Sequence, residues 1–185
     1  MRVLGIDPGS LTTGWGLVCG PPATPRLLDC GEICLRTGGP LAARLARLQS
    51  ELGELLQRLR PTEAAVESPF HGASARSALQ LAHARGVILA VLAQSGLTVA
   101  EYTPATVKQT VAGSGRAGKP QIAAMTWRLL GQAEIAGSHD VTDALAVALC
   151  HLARQRFDSA VGRAQARSSS RGRGSVRHSG RRGST

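Results

Sequence analysis

At 185 residues the chain has room for one domain with a proper core and not for two large ones. Lys and Arg number 22 against 12 Asp and Glu, a formal net charge of +10, which points to a polyanionic partner, nucleic acid ahead of an anionic membrane. Apolar residues make up 43% of the chain but aromatics only 3%, too few rings for a protein that holds single strands mainly by base stacking.

The charge is unevenly spread. From Asp158 to the end there are seven arginines against one aspartate, a net +6, which leaves +4 on residues 1–157. The longest apolar run, Gly86 to Ala93, stops at Gln94 and is too short to cross a membrane. Asp7 interrupts the start before the apolar stretch of a signal peptide forms. The four cysteines, Cys19, Cys30, Cys34 and Cys150, lack metal-ligand spacing and read as small hydrophobes in a reducing cytoplasm.

Residues 2–7 read as a buried strand that ends on a carboxylate. Pro8-Gly9-Ser10 makes a turn, Thr13 to Cys19 a second strand, the prolines at 21, 22 and 25 a further turn, and Leu27 to Leu35 a third strand. Short turns between them predict an antiparallel meander. The period then changes. Leu41, Leu45, Leu48, Leu52, Leu55 and Leu59 recur every three to four residues and predict an amphipathic helix ended by Pro61. A coiled coil would show the same spacing, but fewer than three heptads are present and strands flank them.

Ala64 to Glu67 reads as a fourth strand, again ending on a carboxylate. Ser77 to Ser95 predicts a helix that is apolar on nearly every side, through Leu79, Leu81, Val87, Ile88, Val91 and Leu92. Such a helix needs cover on both faces, and in so small a protein one cover is the sheet and the other a second subunit. A homodimer through this helix follows, with Gly86 permitting close approach. Thr98 to Tyr102 is a fifth strand, Pro104 to Val111 a short helix, Gly113 to Gly118 a flexible loop and Pro120 to Leu130 a helix. The last helix runs from Ser138 to about Phe157; beyond it Ser, Gly and Arg take over, and residues 158–185 are expected to be a disordered basic tail outside the domain of residues 1–157. The element order predicts an α/β domain, a central mixed five-stranded sheet with helices on both faces.

Four carboxylates stand at the ends of apolar segments. Asp7 and Glu67 close strands; Asp140 and Asp143 lie three apart at the start of the last helix and so share a side of it. Asp143 falls on the stripe of Ala146, Val147 and Cys150, which turns it inward. Carboxylates that converge on a partly buried site repel one another, and all-oxygen ligation of Mg²⁺ or Mn²⁺ is the usual remedy. Taken singly, each has a plainer explanation: a turn residue before Pro-Gly, a solvated strand end, a helix cap with its first-turn partner.

The combination resembles the RuvC Holliday-junction resolvases. Gly5-Ile-Asp-Pro-Gly-Ser10 with Thr13-Gly-Trp-Gly16, Val66-Glu-Ser-Pro-Phe70, Ala84-Arg-Gly86, Val107-Lys-Gln-Thr-Val111 with the glycines at 113 and 115, and Asp140-Val-Thr-Asp-Ala-Leu-Ala146 match in order over about residues 1–155. The resemblance implies an RNase H-like fold, a homodimer with two active sites, and Asp7, Glu67, Asp140 and Asp143 as a catalytic tetrad holding two Mg²⁺ ions, with Mn²⁺ as a substitute. It implies paired symmetric nicks in a four-way DNA junction, leaving 5′-phosphate and 3′-hydroxyl ends, and a branch-migration motor as partner. Some family members carry His where Asp140 stands, although the neighbouring His139 points about 100° away around the helix.

Lys108 and Lys119 match family lysines near the DNA backbone, and cations beside flexible loops suit phosphate contacts. Phe70 matches a ring near the junction crossover, where it would stack on an exposed base, a core ring being the alternative. Arg76 and Arg85 are weaker DNA-binding candidates, since arginines on helix surfaces are commonly just solvated. Trp15 stands where the family pattern has Tyr.

Other readings compete. Gly113 to Lys119 fits the first seven positions of a phosphate-binding P-loop, but Pro120 replaces the Ser or Thr that would reach Mg²⁺, so no nucleotide cofactor is expected. The start also resembles the phosphate loop of the sugar-kinase and actin group, which needs two such domains. A nuclease of the same fold acting on structured RNA, and a non-catalytic junction-binding module, are the remaining alternatives; the second would be expected to have lost a carboxylate of the tetrad.

Overall fold

The computed structural model describes residues 1–36, 39–68, 75–132 and 138–172. Five strands, β1 (Arg2–Asp7), β2 (Thr12–Cys19), β3 (Arg26–Cys34), β4 (Glu63–Glu67) and β5 (Thr98–Tyr102), form one sheet in the order β3-β2-β1-β4-β5. The meander β1-β2-β3 is antiparallel, whereas β4 joins β1 and β5 joins β4 in parallel. The helices α1 (Leu41–Leu59) and α2 (Ala75–Gln94) supply the two crossovers into the parallel half. Chain direction thus makes the sheet mixed.

Alternation along the strands separates two cores. Leu4, Ile6, Trp15, Leu17, Ala64 and Val66 face the leucines of α1 and the inner side of α2. Val3, Val18 and Ala65 face α3 (Pro104–Ala112), α4 (Lys119–Leu129) and α5, which starts at His139. The leucine periodicity of α1 is therefore a sheet-facing stripe, with Leu48, Leu52, Leu55, Leu56 and Leu59 buried. The helix stops at Arg60, whose left-handed backbone lets its N–H reach the Leu56 carbonyl at 2.9 Å just before Pro61. Trp15 is core, 7% exposed, and carries the Arg58 guanidinium over its ring at 5.6 Å.

Helix α2 buries one side only. Ala84, Ile88, Val91 and Leu92 are covered, while Leu79 is 60% exposed and the outer face around Gly86 meets no described atom within 4 Å of an added Cβ. None of the four cysteines is in a disulfide. No helix among the described residues is long and apolar enough to cross a membrane.

The compact unit that contains the sheet ends at Ala153, and a second unit begins at Arg154. Helix α5 itself runs from His139 to Gly172, fifteen residues past Phe157, where composition alone ends it and predicts disorder. The reason is propensity. Between 158 and 172 the chain holds three Ala, two Arg and one Gln before its serine run and no Pro, so a helix already nucleated by packing propagates despite the low apolar content. Residues 173–185 of the expected tail lie outside the described residues.

Candidate active site

Asp7 and Glu67 are brought together by strand pairing. Ile6 is opposite Val66 in the parallel pair β1–β4, so the next residues along, Asp7 and Glu67, stand side by side at the sheet's carboxyl edge. Alternation aims both toward the α5 face, the side of Val3 and Ala65.

The start of α5 reaches them because the sheet beneath it is bare. A Cβ on Gly5 would lie 2.1 Å from the Ala144 carbonyl oxygen, one on Gly16 would lie 2.3 Å from the Leu145 side chain, and one on Gly14 would lie 2.0 Å from the Asp140 carbonyl oxygen. Gly5 pairs with Gly16 and Asp7 with Gly14 across β1–β2, so these glycines form one continuous bed. The glycines of the sequence motifs thus set the height of α5, and with it the position of Asp140 and Asp143.

All four carboxylates are half-buried and line one cleft of about 310 Å³, together with Lys108, Lys119 and the apolar Val107 and Ile122. Burial and the adjacent Glu67 push the Asp7 carboxyl up to about 9, with Asp143 and Asp140 adding to the rise. Burial also raises Glu67, against the hydrogen bond it accepts from protonated Asp7 and the pull of Lys108 and Lys119. Asp143 is raised by burial too, a rise that Lys119 opposes and Asp140 reinforces. Two lysines therefore do not neutralise the cluster. Asp7 and Glu67 share a proton, and among the described residues no three acidic, His or Cys groups stand close enough to hold a metal ion as they are placed, so ligation would require the carboxylates to draw together. An uncompensated set of oxygen donors fits one class of guest, a hard divalent cation.

The lysines are held by a clasp. Val107 and Val111 anchor α3 in the core, leaving Lys108 on the cleft side. Gln109 donates through Nε2 to the Gly113 carbonyl at 2.9 Å and accepts from the Gly115 N–H at 3.0 Å. Ala117, 4% exposed, pins the far side of the turn, and Lys119 opens α4 at the cleft mouth. The segment expected to be a flexible loop is thus braced by Gln109, a residue whose role the sequence did not disclose. The loop follows a helix and not a strand, unlike a P-loop.

Phe70 lies outside the described residues. Arg76 is exposed in the first turn of α2 and, like the exposed His139, does not line the cleft. A second unanticipated group underlies the site. His151, 2% exposed, faces Glu63 through Nε2 at 2.7 Å and the Tyr102 hydroxyl through Nδ1 at 2.9 Å. It ties α5 to β4, the strand that ends on Glu67, and to Tyr102 of β5, which pairs with Glu67. In the sequence it is a lone His in an apolar run, and only the polar Glu63 two strand repeats before Glu67 hinted at a partner.

Comparison with known proteins agrees with this arrangement. The family model for crossover junction endodeoxyribonuclease RuvC matches residues 3–151, a span that includes all four carboxylates and both lysines. The chain belongs to the RuvC family. A RuvC from Pelotomaculum thermopropionicum is 48% identical over 153 residues, covering 82% of this chain and 92% of its own. One from Anaeromyxobacter dehalogenans is 49% identical over 157 residues, covering 85% and 83%. The solved Thermus thermophilus RuvC in complex with Holliday junction substrate superposes with a TM-score of 0.81 at 34% identity over 85% of this chain and 96% of that one. The mixed sheet with helices on both faces is the RNase H-like fold of RuvC. The RuvC match stops at His151, so the basic extension lies beyond it.

Proposed function

We propose that this protein is an endodeoxyribonuclease that resolves four-way DNA junctions by paired symmetric nicks, leaving 5′-phosphate and 3′-hydroxyl ends, in recombination and repair in the cytoplasm. The observation that carries the proposal is the convergence of Asp7, Glu67, Asp140 and Asp143 in one open cleft beside Lys108 and Lys119, in a chain of the RuvC family. Asp7, Glu67, Asp140 and Asp143 would hold two Mg²⁺, or Mn²⁺ in their place. When bound, these ions supply the Lewis acidity that turns water into a nucleophile at neutral pH and offsets charge on the leaving 3′ oxygen.

The protein's own groups do the rest. Asp7 and Glu67 give up their shared proton on binding cations, so loading is favoured as pH rises. Lys108 and Lys119 hold the phosphates of the incoming strand at the cleft mouth, Phe70 contacts the junction near its crossover, and Arg76 is a further DNA contact. The test is cleavage of a synthetic four-way junction with Mg²⁺ beside linear duplex and an RNA hairpin. Nicks confined to the junction are expected; RNA-selective cutting, or junction binding without cleavage, would overturn the proposal.

The uncovered face of α2, with Leu79 and the open space at Gly86, suits a second copy of this chain, and a homodimer would place two active sites on one junction. Sedimentation at micromolar concentration is expected to give the dimer mass, and Leu79→Glu to shift it toward monomer; a wild-type monomer contradicts the assignment. A branch-migration motor on the same junction is the expected further partner.

The chain beyond residue 157, with its seven arginines, would add nonspecific DNA affinity. Deleting residues 158–185 is expected to lower the salt slope of junction binding by about one for each phosphate the tail had neutralised, with cleavage retained. An unchanged slope would show that the tail does not touch DNA.

A further inference from the structure

The carboxylates face a second depression as well. Asp7, Glu67 and Pro104 also wall a smaller cleft of about 140 Å³, closed on its far side by Ser68, Leu81 and Arg85. The two clefts share these three residues, so they meet at the Asp7–Glu67 pair as at a saddle. The lysines border only the larger one.

Arg85 is not the solvated helix arginine its sequence position suggested. Its side chain is only 20% exposed and is ion-paired through one terminal nitrogen with Glu101 on β5. Its Nε is buried and has no hydrogen-bond partner among the described residues. A guanidinium offers five N–H donors in a fixed fork matched to a phosphate, and a buried donor left without an acceptor is costly. Glu101, at 43% exposed, is a partner that solvent easily replaces.

An anionic strand that crosses a cluster of four carboxylates needs cations on both sides of the crossing, and Arg85 is the cation on the side the lysines leave open. We propose that Arg85 binds a phosphate adjacent to the scissile one, on the side of Asp7 and Glu67 opposite Lys108 and Lys119, and that Glu101 holds the guanidinium in place until DNA arrives. This rests on the junction-nuclease reading above and adds the path of the strand across the site.

The test replaces single phosphates beside the cleavage site with neutral methylphosphonates, one at a time, and compares single-turnover cleavage by wild type, Arg85→Gln and Glu101→Gln. Arg85→Gln is expected to slow cleavage of the unmodified junction at subsaturating enzyme roughly tenfold to a hundredfold. One neutral linkage should cost wild type a similar factor and Arg85→Gln nothing, while the other linkages cost both proteins equally. Glu101→Gln, which frees the guanidinium, should tighten junction binding by a few-fold, a gain abolished by that same linkage. Losses that multiply at every linkage overturn the role of Arg85 while the nuclease reading stands. A wild-type protein that fails to cut the unmodified junction overturns both. Should Arg85→Gln not fold, Glu101→Gln decides alone: binding that is unchanged or weaker overturns the proposal.

Discussion

Replacing Asp7 by Asn is expected to lower junction cleavage by about a thousandfold or more while raising the melting temperature of the metal-free protein. The loss follows from exchanging a buried carboxylate of the proposed cation site for a neutral amide, a much weaker ligand for a hard divalent cation. The gain follows from electrostatics. Asp7 is pushed up to about 9 by burial and by Glu67, from an ordinary value of 3.8. An acid raised in the folded state binds more protons folded than unfolded across that window, so the metal-free fold loses stability as pH rises from about 4 to 9. Asn carries no such penalty and keeps a donor for Glu67. At neutral pH the variant should be about 1–3 kcal/mol more stable, a few degrees in Tm, with the gap widening toward pH 9 and closing toward pH 4. Thermal melts of both proteins in chelator across that pH range check it. A variant that is inactive but less stable at every pH would mean that Asp7 is held by favourable contacts and not compressed by its neighbours.

Gly14→Ala is the second large effect, and it acts without removing any charged group. The new Cβ would stand 2.0 Å from the Asp140 carbonyl oxygen and 2.3 Å from its carbon, a clash with backbone that no side-chain rotation relieves. The first turn of α5 must lift, carrying Asp140 and Asp143 away from Asp7 and Glu67. A cost of about 1–3 kcal/mol in stability and roughly a hundredfold in cleavage is expected, since a displacement of about 1 Å at reacting groups has that consequence. Gly53→Ala is the control. Gly53 lies inside α1 with nothing within 4 Å of its added Cβ, so the change should be neutral or stabilising by up to about 1 kcal/mol and leave cleavage unaltered. Equal behaviour of the two variants would show that the glycine bed does not set the height of α5.

The four carboxylates that converge on one cleft are legible in the sequence because carboxylates at the ends of apolar strands and at a helix start break the pattern that burial otherwise imposes. The strands and the leucine stripe of α1 are legible in the same way, and α2 reads as apolar on nearly every side although only Ala84, Ile88, Val91 and Leu92 are buried. What the sequence hid is contact made at a distance. Gly5, Gly14 and Gly16 read locally as turn or strand glycines, and only the packing of α5 shows that they are the floor beneath Asp140. Gln109 reads as a solvated polar residue until its loop folds back onto it. His151 and Glu63 are 88 residues apart, and Arg85 reaches Glu101 on a strand that α2 precedes. The length of α5 is underestimated when low apolar content is weighed above the helix propensity of Ala, Arg and Gln.

The most direct test of the junction-resolving function is to label each strand of a four-way junction in turn and map the cuts made with Mg²⁺. Nicks at symmetric positions in two strands of like polarity, with ends that ligate directly and none made by Asp7→Asn, are the expected result. Cuts in a single strand, at unrelated positions, or equally in linear duplex would contradict it.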